Sequence, residues 1–209
     1  MTDLVRDRIL AEALPDVPHT GFSQESLANA AARAGVSRRE LNDAFPNGAA
    51  SLVEAFSHWA DGQMALTLAA EPGEAHLKDR VAAAVRARIE VLGPQKEAAR
   101  RAAAFLALPH NAPLGAKLVM RTVDAMWRAA GDRSSDFSWY TKRAILAGVY
   151  GATLAYWLSD SSEGHSATWT FLGHRIDDVM QIEKFRSSAM KAAEHFPDPF
   201  GILKSLRPR

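Results

Sequence analysis

Apolar residues recur along this chain at spacings of three and four, and no window holds a sustained alternation of period two. That pattern predicts helices for nearly all regular structure and an all-α fold class. Helix-breaking clusters punctuate it at Pro15 to Gly21, Gly35, Pro46-Asn47-Gly48, Glu71-Pro72-Gly73, Gly93-Pro94, Pro109 to Pro113, Gly131 to Asp136, Asp160 to Gly164 and Pro197 to Gly201. About ten helices result. The first four segments are short and the later ones long, which predicts a head over residues 1-70, a helical body over 71-182 and a tail over 183-209. No period of 20 to 50 residues repeats, which argues against a solenoid.

The segment Ser23 to Ala34 reads as a helix, Gly35-Val36 as a turn, and Ser37 to Phe45 as a second helix opened by a capping box, with Ser37 at the N-cap and Glu40 at N3. Gly35 can take the positive φ that a tight helix-helix turn demands. Together with the Phe45-Pro46-Asn47-Gly48 stop, this segment resembles the helix-turn-helix head of TetR-type repressors. Two readings follow. Arg38 and Arg39 open the second helix where base edges or phosphates lie in a working reader, or the head is a retained scaffold.

Charge distribution bears on that choice. Across 209 residues the formal net charge is only +1, but residues 1-70 hold five Lys/Arg against nine Asp/Glu. A head of charge −4 meets a repulsive field on approaching phosphate, and Glu40 and Asp43 on the second helix add to it. The expectation is no DNA partner. Residues 184-209 show the reverse bias, six basic against two acidic. There the apolar stripe Ile176, Val179, Ile182, Phe185, Ala189, Ala193 and Phe196 leads into Pro197 and Pro199 and the apolar-basic end that follows. Either the last helix packs on its own body or a second subunit, or this end lies in a bilayer interface. Its candidate membrane-binding residues are Phe185, Met190, Phe196, Phe200, Ile202, Leu203, Lys204 and Arg207.

The stretch from Ala144 to Ser159 is uncharged. It is too short to span a bilayer, which takes ~20 apolar residues. Apolar nearly all round, it reads as a helix surrounded by others, with Ala147, Gly148, Gly151 and Ala152 leaving room for close backbone contact or for something else. Before it come Trp139, Tyr140 and Arg143, spaced so that an aromatic and the arginine share one face. The trio reads either as a staple of loop to core or as an interface patch, since Trp, Tyr and Arg are enriched at binding hot spots.

Composition removes other possibilities. There is no cysteine, hence no disulfide and no thiolate site. Histidines 19, 58, 76, 110, 165, 174 and 195 form no metal-ligand motif, and His174 with Asp178 reads as a surface i, i+4 pair. Nucleotide-binding and acyl-transfer motifs are missing as well. The reading is a non-enzymatic protein without metal or cofactor. Asp3, Asp7 and Glu12 argue against a leader at the N-terminus, so the expected place is the compartment of synthesis.

From Asp124 to Asp178 the chain resembles the lipid-binding accessory proteins of ubiquinone (coenzyme Q) biosynthesis, a family with a TetR-like fold. The matching positions are Asp124 with Trp127, Ala130-Gly131-Asp132, Asp136-Phe137, Trp139-Tyr140-Thr141, Arg143, Asp160-Ser161-Ser162, Thr168-Trp169, Phe171-Leu172, Arg175-Ile176 and Asp178. The resemblance implies a non-catalytic protein that holds an isoprenoid lipid or quinone precursor in an apolar pocket and presents it to a di-iron quinone hydroxylase. It implies that Trp139, Tyr140 and Arg143 dock that hydroxylase and that the C-terminal helix meets a membrane surface. Candidate lipid contacts are Met120, Val123 and Trp127, then Leu146, Val149, Tyr150 and Leu154, then Trp169, Leu172 and Ile176. A homodimer is expected, placed in the cytoplasm on the inner face of a membrane, or on the matrix side of a mitochondrion if a presequence is missing. The alternative is a TetR-type regulator that senses an apolar ligand.

Overall fold

The computed structural model describes residues 2–70, 76–131 and 137–178, and every regular element among them is helical. The head comprises α1 (Thr2–Ala13), α2 (Val17–Thr20), α3 (Gln24–Arg33) and α4 (Arg38–Ala44). Local chemistry sets these boundaries. The Ser23 hydroxyl accepts from the Ser26 N–H at 3.1 Å and opens α3. At the other end, Gly35 at φ 62° donates to the Ala32 carbonyl and Val36 to the Ala31 carbonyl, a Schellman closure. The expected capping box then starts α4: Ser37 N–H donates to the Glu40 carboxylate at 2.9 Å and Glu40 N–H to the Ser37 hydroxyl at 3.3 Å. The turn thus costs few unpaired backbone groups, and the helix-turn-helix is formed as the sequence predicts.

The body continues through α5 (Ala49–Ala70), α6 (Leu77–Val91), α7 (Lys96–Ala107), α8 (Ala112–Ala129), α9 (Phe137–Ser159) and α10, residues 166–178. Helix α8 packs against α5, α6, α7 and α9. The buried faces of all these helices join the core of the head, through α1 on α5, in one apolar cluster that includes Ile9, Phe56, Ile89, Met126 and Trp157. Helix α2 meets α7, where Arg101 donates to the Pro18 carbonyl at 3.0 Å.

Helix α9 departs from the expectation of being surrounded. One face buries Arg143, Leu146, Val149, Tyr150, Thr153 and Trp157, while Ala144, Gly148, Ala152 and Ala155 are exposed on the other. A Cβ added at Gly148 or Gly151 meets nothing within 4 Å, so no backbone closes on them within the described chain. An apolar composition favours close neighbours, yet among the described residues none covers that face of small side chains.

The joint from α9 to α10 rests on one carboxylate. Asp160 accepts from Ser162 N–H at 2.8 Å, Thr168 N–H at 3.0 Å and the Thr168 hydroxyl at 2.5 Å. These bonds, the Thr168 hydroxyl foremost, hold its carboxyl below the usual aspartate range. Lys96 of α7 donates to the Asp160 carbonyl at 2.8 Å and ties the joint to the body. Further along, Asp178 pairs with Arg175 at 2.8 Å rather than with His174. The guanidinium is the stronger partner because its planar fork of N–H donors matches a carboxylate.

No described helix is long and apolar enough to cross a membrane. The tail contacts expected at Phe185, Met190, Phe196, Phe200, Ile202, Leu203, Lys204 and Arg207 lie outside the described residues.

Candidate functional site: an apolar cavity with a charged wall

A cavity of about 80 Å³ lies between α5, α6, α7, α8 and α9. Its wall is made of Val53 and Phe56 from α5, Leu118 from α8, small residues Ala99, Ala102 and Ala103 from α7, and Leu92, Leu106 and Leu154. The three alanines matter physically: larger side chains on α7 would fill the gap. Ala103, Leu106, Val119 and Leu154 are partly exposed, which marks the side on which the cavity approaches the surface.

One part of the wall is polar. Arg88, only 3 % exposed, lines the cavity together with Ser57, Thr122 and Tyr150. Its Nε donates to Asp61 Oδ1 at 2.8 Å and its Nη2 to the Ser57 carbonyl at 3.3 Å. The Thr122 hydroxyl donates to the same Asp61 oxygen at 2.8 Å, and Arg121 Nε lies 3.8 Å from Asp61 Oδ2. Arg88 Nη1 and Asp61 Oδ2 have no hydrogen-bond partner among the described residues. Burial pushes the Tyr150 phenol up, so it remains a neutral O–H near this pair.

Isolated charges of this kind are not tolerated in an apolar interior, but a pair of opposite sign is. Neither residue stands out as a site in the sequence. They stand 27 positions apart and belong to no motif. The legible signal was subtler: Asp61 interrupts the buried run Phe56, Ala60 and Met64, and Arg88 interrupts Val85, Ile89 and Leu92.

Of the ten candidate lipid contacts, Tyr150 and Leu154 line this cavity. Val123, Leu146, Val149, Leu172 and Ile176 are buried in the core. Met120 is 37 % exposed. The Trp127 indole N–H is buried without a partner among the described residues, and the Lys142 ammonium sits 5.6 Å from its ring. Trp169 on α10 is partly buried against the core, donates to the Gly164 carbonyl at 2.9 Å, and has the Arg86 guanidinium 4.8 Å from its ring centre.

The aromatic-arginine trio at the start of α9 does form one cluster. Trp139 and Tyr140 meet edge to face with ring centroids 4.7 Å apart, and Arg143 stacks on the Trp139 ring. Their exposures differ sharply: Tyr140 is 68 % exposed and Arg143 only 3 %. Arg143 Nε and Nη2 both lie 2.8 Å from Asp124 Oδ1, which joins α9 to α8. Arg143 therefore supports the patch from beneath, and Tyr140 presents it. Among the described residues no group of three His, Asp or Glu side chains is placed to hold a metal ion.

Comparison with known proteins places this geometry. The chain is similar to "Ubiquinone biosynthesis protein COQ9, mitochondrial" of Drosophila melanogaster, 33% identical over 203 residues, 95% of this chain and 62% of that protein. The protein of the same name from Bos taurus is 36% identical over 186 residues, 85% of this chain and 58% of that one. The chain thus spans about three fifths of the length of these relatives. Among solved structures, the TetR transcriptional regulator from Nitrosomonas europaea aligns with a TM-score of 0.63 at 24% identity, covering 82% of this chain and 95% of that one, which shows a shared fold. The COQ9 family model matches residues 112–183, the segment that holds α8, α9 and α10. Motif block, helical order and relatives agree: the chain is similar to the COQ9 proteins, matches the COQ9 family model over residues 112–183, and folds on the TetR plan.

Proposed function

We propose that this protein is a non-catalytic, lipid-binding accessory factor of ubiquinone biosynthesis. The observation that carries the reading is an apolar cavity with a polar wall in a chain whose relatives bear that pathway's name. At about 80 Å³ the cavity is smaller than the ~300–1,000 Å³ of formed ligand pockets. An isoprenoid enters by displacing side chains at the partly exposed edge, Leu106, Val119 and Leu154. The surface patch topped by Tyr140 docks the di-iron quinone hydroxylase that receives the lipid. The tail from residue 183 onward meets the membrane and leaves the protein peripheral on its inner face, on the matrix side in a mitochondrion. Residues 1-70 then serve as scaffold and lend α5 to the cavity wall, residues 71-182 hold the lipid, and residues 183-209 meet the membrane. The exposed small-residue face of α9 pairs with that of a second copy in a homodimer.

Extraction of the purified full chain into organic solvent followed by mass spectrometry tests this. Recovery of isoprenoid lipid or quinone precursor is expected. Recovery of none, together with salt-sensitive binding to DNA upstream of the gene, would favour a ligand-sensing TetR-type regulator. The intact helix-turn-helix is what speaks for that second reading, and the Glu40 and Asp43 carboxylates beside Arg38 and Arg39 on the exposed side of α4 speak against it.

A further inference from the structure

The polar wall of the cavity defines what kind of head group fits. Of the five polar atoms on Arg88 and Asp61, three are engaged: Nε donates to Oδ1, Nη2 donates to the Ser57 carbonyl, and Oδ1 also accepts from the Thr122 hydroxyl. Arg88 Nη1 is the buried donor left over, on a side chain that lines the cavity. A guanidinium N–H facing apolar surroundings carries a desolvation penalty that an acceptor oxygen relieves. Tyr150 on the same wall adds a neutral hydroxyl.

Charge balance narrows the acceptor. Asp61 already neutralises Arg88 at 2.8 Å, and Arg121, 3.8 Å from the other carboxylate oxygen, is half exposed to screening solvent and off the cavity wall, so an incoming anion would leave a net negative charge among Val53, Phe56, Leu92 and Leu118. A neutral oxygen leaves the site balanced. Phosphate and carboxylate head groups are disfavoured by this argument, and a carbonyl is favoured.

We propose that Arg88, held in charge balance by Asp61, is the head-group contact of the cavity and donates from Nη1 to a neutral carbonyl oxygen of a quinone-class ligand. This rests on the lipid-binding reading above and adds the residue and the ligand chemistry. The prenyl part lies against the alanine side of α7. A six-membered ring needs ~150 Å³ in an apolar interior, so the ring enters as Leu106 and Leu154 swing away.

Three probes of equal short prenyl length decide it: the chain on a benzoquinone, the bare hydrocarbon, and the chain ending in a carboxylate. Calorimetric titration of the full chain is expected to give quinone affinity about ten- to a hundredfold above the hydrocarbon, as for a hydrogen bond to a charged group. The carboxylate binds more weakly than the quinone. In Asp61→Leu/Arg88→Met, where both charges leave together and the core stays balanced, the quinone preference falls to about one while hydrocarbon affinity is unchanged. Arg88→Lys keeps the charge and lacks the forked donor; the same fall is expected there. A quinone preference that survives in either variant overturns the assignment, as does equal binding of quinone and hydrocarbon by the native chain, or a carboxylate bound more tightly than the quinone. Binding of none of the three probes by the native chain overturns the lipid-binding reading itself.

Discussion

The Arg143 guanidinium lies 4.0 Å from the centre of the Trp139 ring, stacked on it from the buried side. A cation and a ring at that distance attract, and here the cation is also fixed by Asp124. The two residues therefore act as one base plate beneath Tyr140. Arg143→Met is expected to lower stability by about 2–3 kcal/mol, below the usual ~3–5 for breaking a buried pair because Arg128 still accompanies Asp124. Tyr140→Ala leaves stability within about 0.5 kcal/mol, since its side chain is exposed. Urea titration of both variants checks this. In a hydroxylase pull-down Tyr140→Ala should lose at least tenfold in affinity, the behaviour of an interface hot spot.

The Asp61–Arg88 pair gives a sharper stability contrast. Asp61→Leu alone strands a guanidinium in the core and should cost about 3–5 kcal/mol, whereas Asp61→Leu/Arg88→Met should lie near the native chain. A double-mutant cycle by chemical denaturation measures the coupling. Additive single effects would mean that the two side chains are not coupled as their 2.8 Å contact requires.

Asp160 makes a pH prediction. Its carboxyl is held below the ordinary aspartate range, so it adds stability above that range and loses the contribution as pH falls through the lowered value. Asp160→Asn should therefore lower the denaturation midpoint at neutral pH, with the gap to the native chain narrowing in strong acid. A gap that is constant with pH would separate the effect from ionisation.

In the head, geometry and charge separate cleanly. Ser37→Ala removes the N-cap acceptor of α4 and should cost about 1 kcal/mol. Arg38→Ala with Arg39→Ala, both exposed, should change stability by less than about 0.5 kcal/mol and leave quinone synthesis in the host nearly intact. Loss of synthesis in that double variant, with normal protein levels, would return the head to a working role.

The bare face of α9 bears on assembly. On the proposed pairing of α9 faces, the native chain is expected to scatter light as a dimer and Ala152→Arg, which places a long charged side chain there, as a monomer with helix content unchanged.

What the sequence disclosed follows from the range of the forces involved. Gly35, Ser37 and Glu40 act on neighbours within five residues, so their turn and capping box could be read directly. Trp139 and Arg143 are one helical turn apart, so their shared face was legible as well. That Arg143 is buried was not, because its partner Asp124 lies on another helix across residues that carry no spacing signal. The cavity was harder still. Periodicity tells which face of a helix is apolar, and Val123, Leu146 and Ile176 are indeed buried. It does not tell where packed faces leave a gap, and here the gap is made by Ala99, Ala102 and Ala103, residues too small to draw notice.

Asp160 has a further significance beyond its pH response. Three hydrogen bonds on one carboxylate, with Lys96 on the carbonyl behind it, make the elbow between α9 and α10 behave as a welded bracket. Helix α10 is thereby set at a fixed bearing against the same helix that carries Tyr140 and Tyr150. A change at Asp160 would therefore turn α10 against α9 and shift Leu172 and Ile176 within the core without touching either of them.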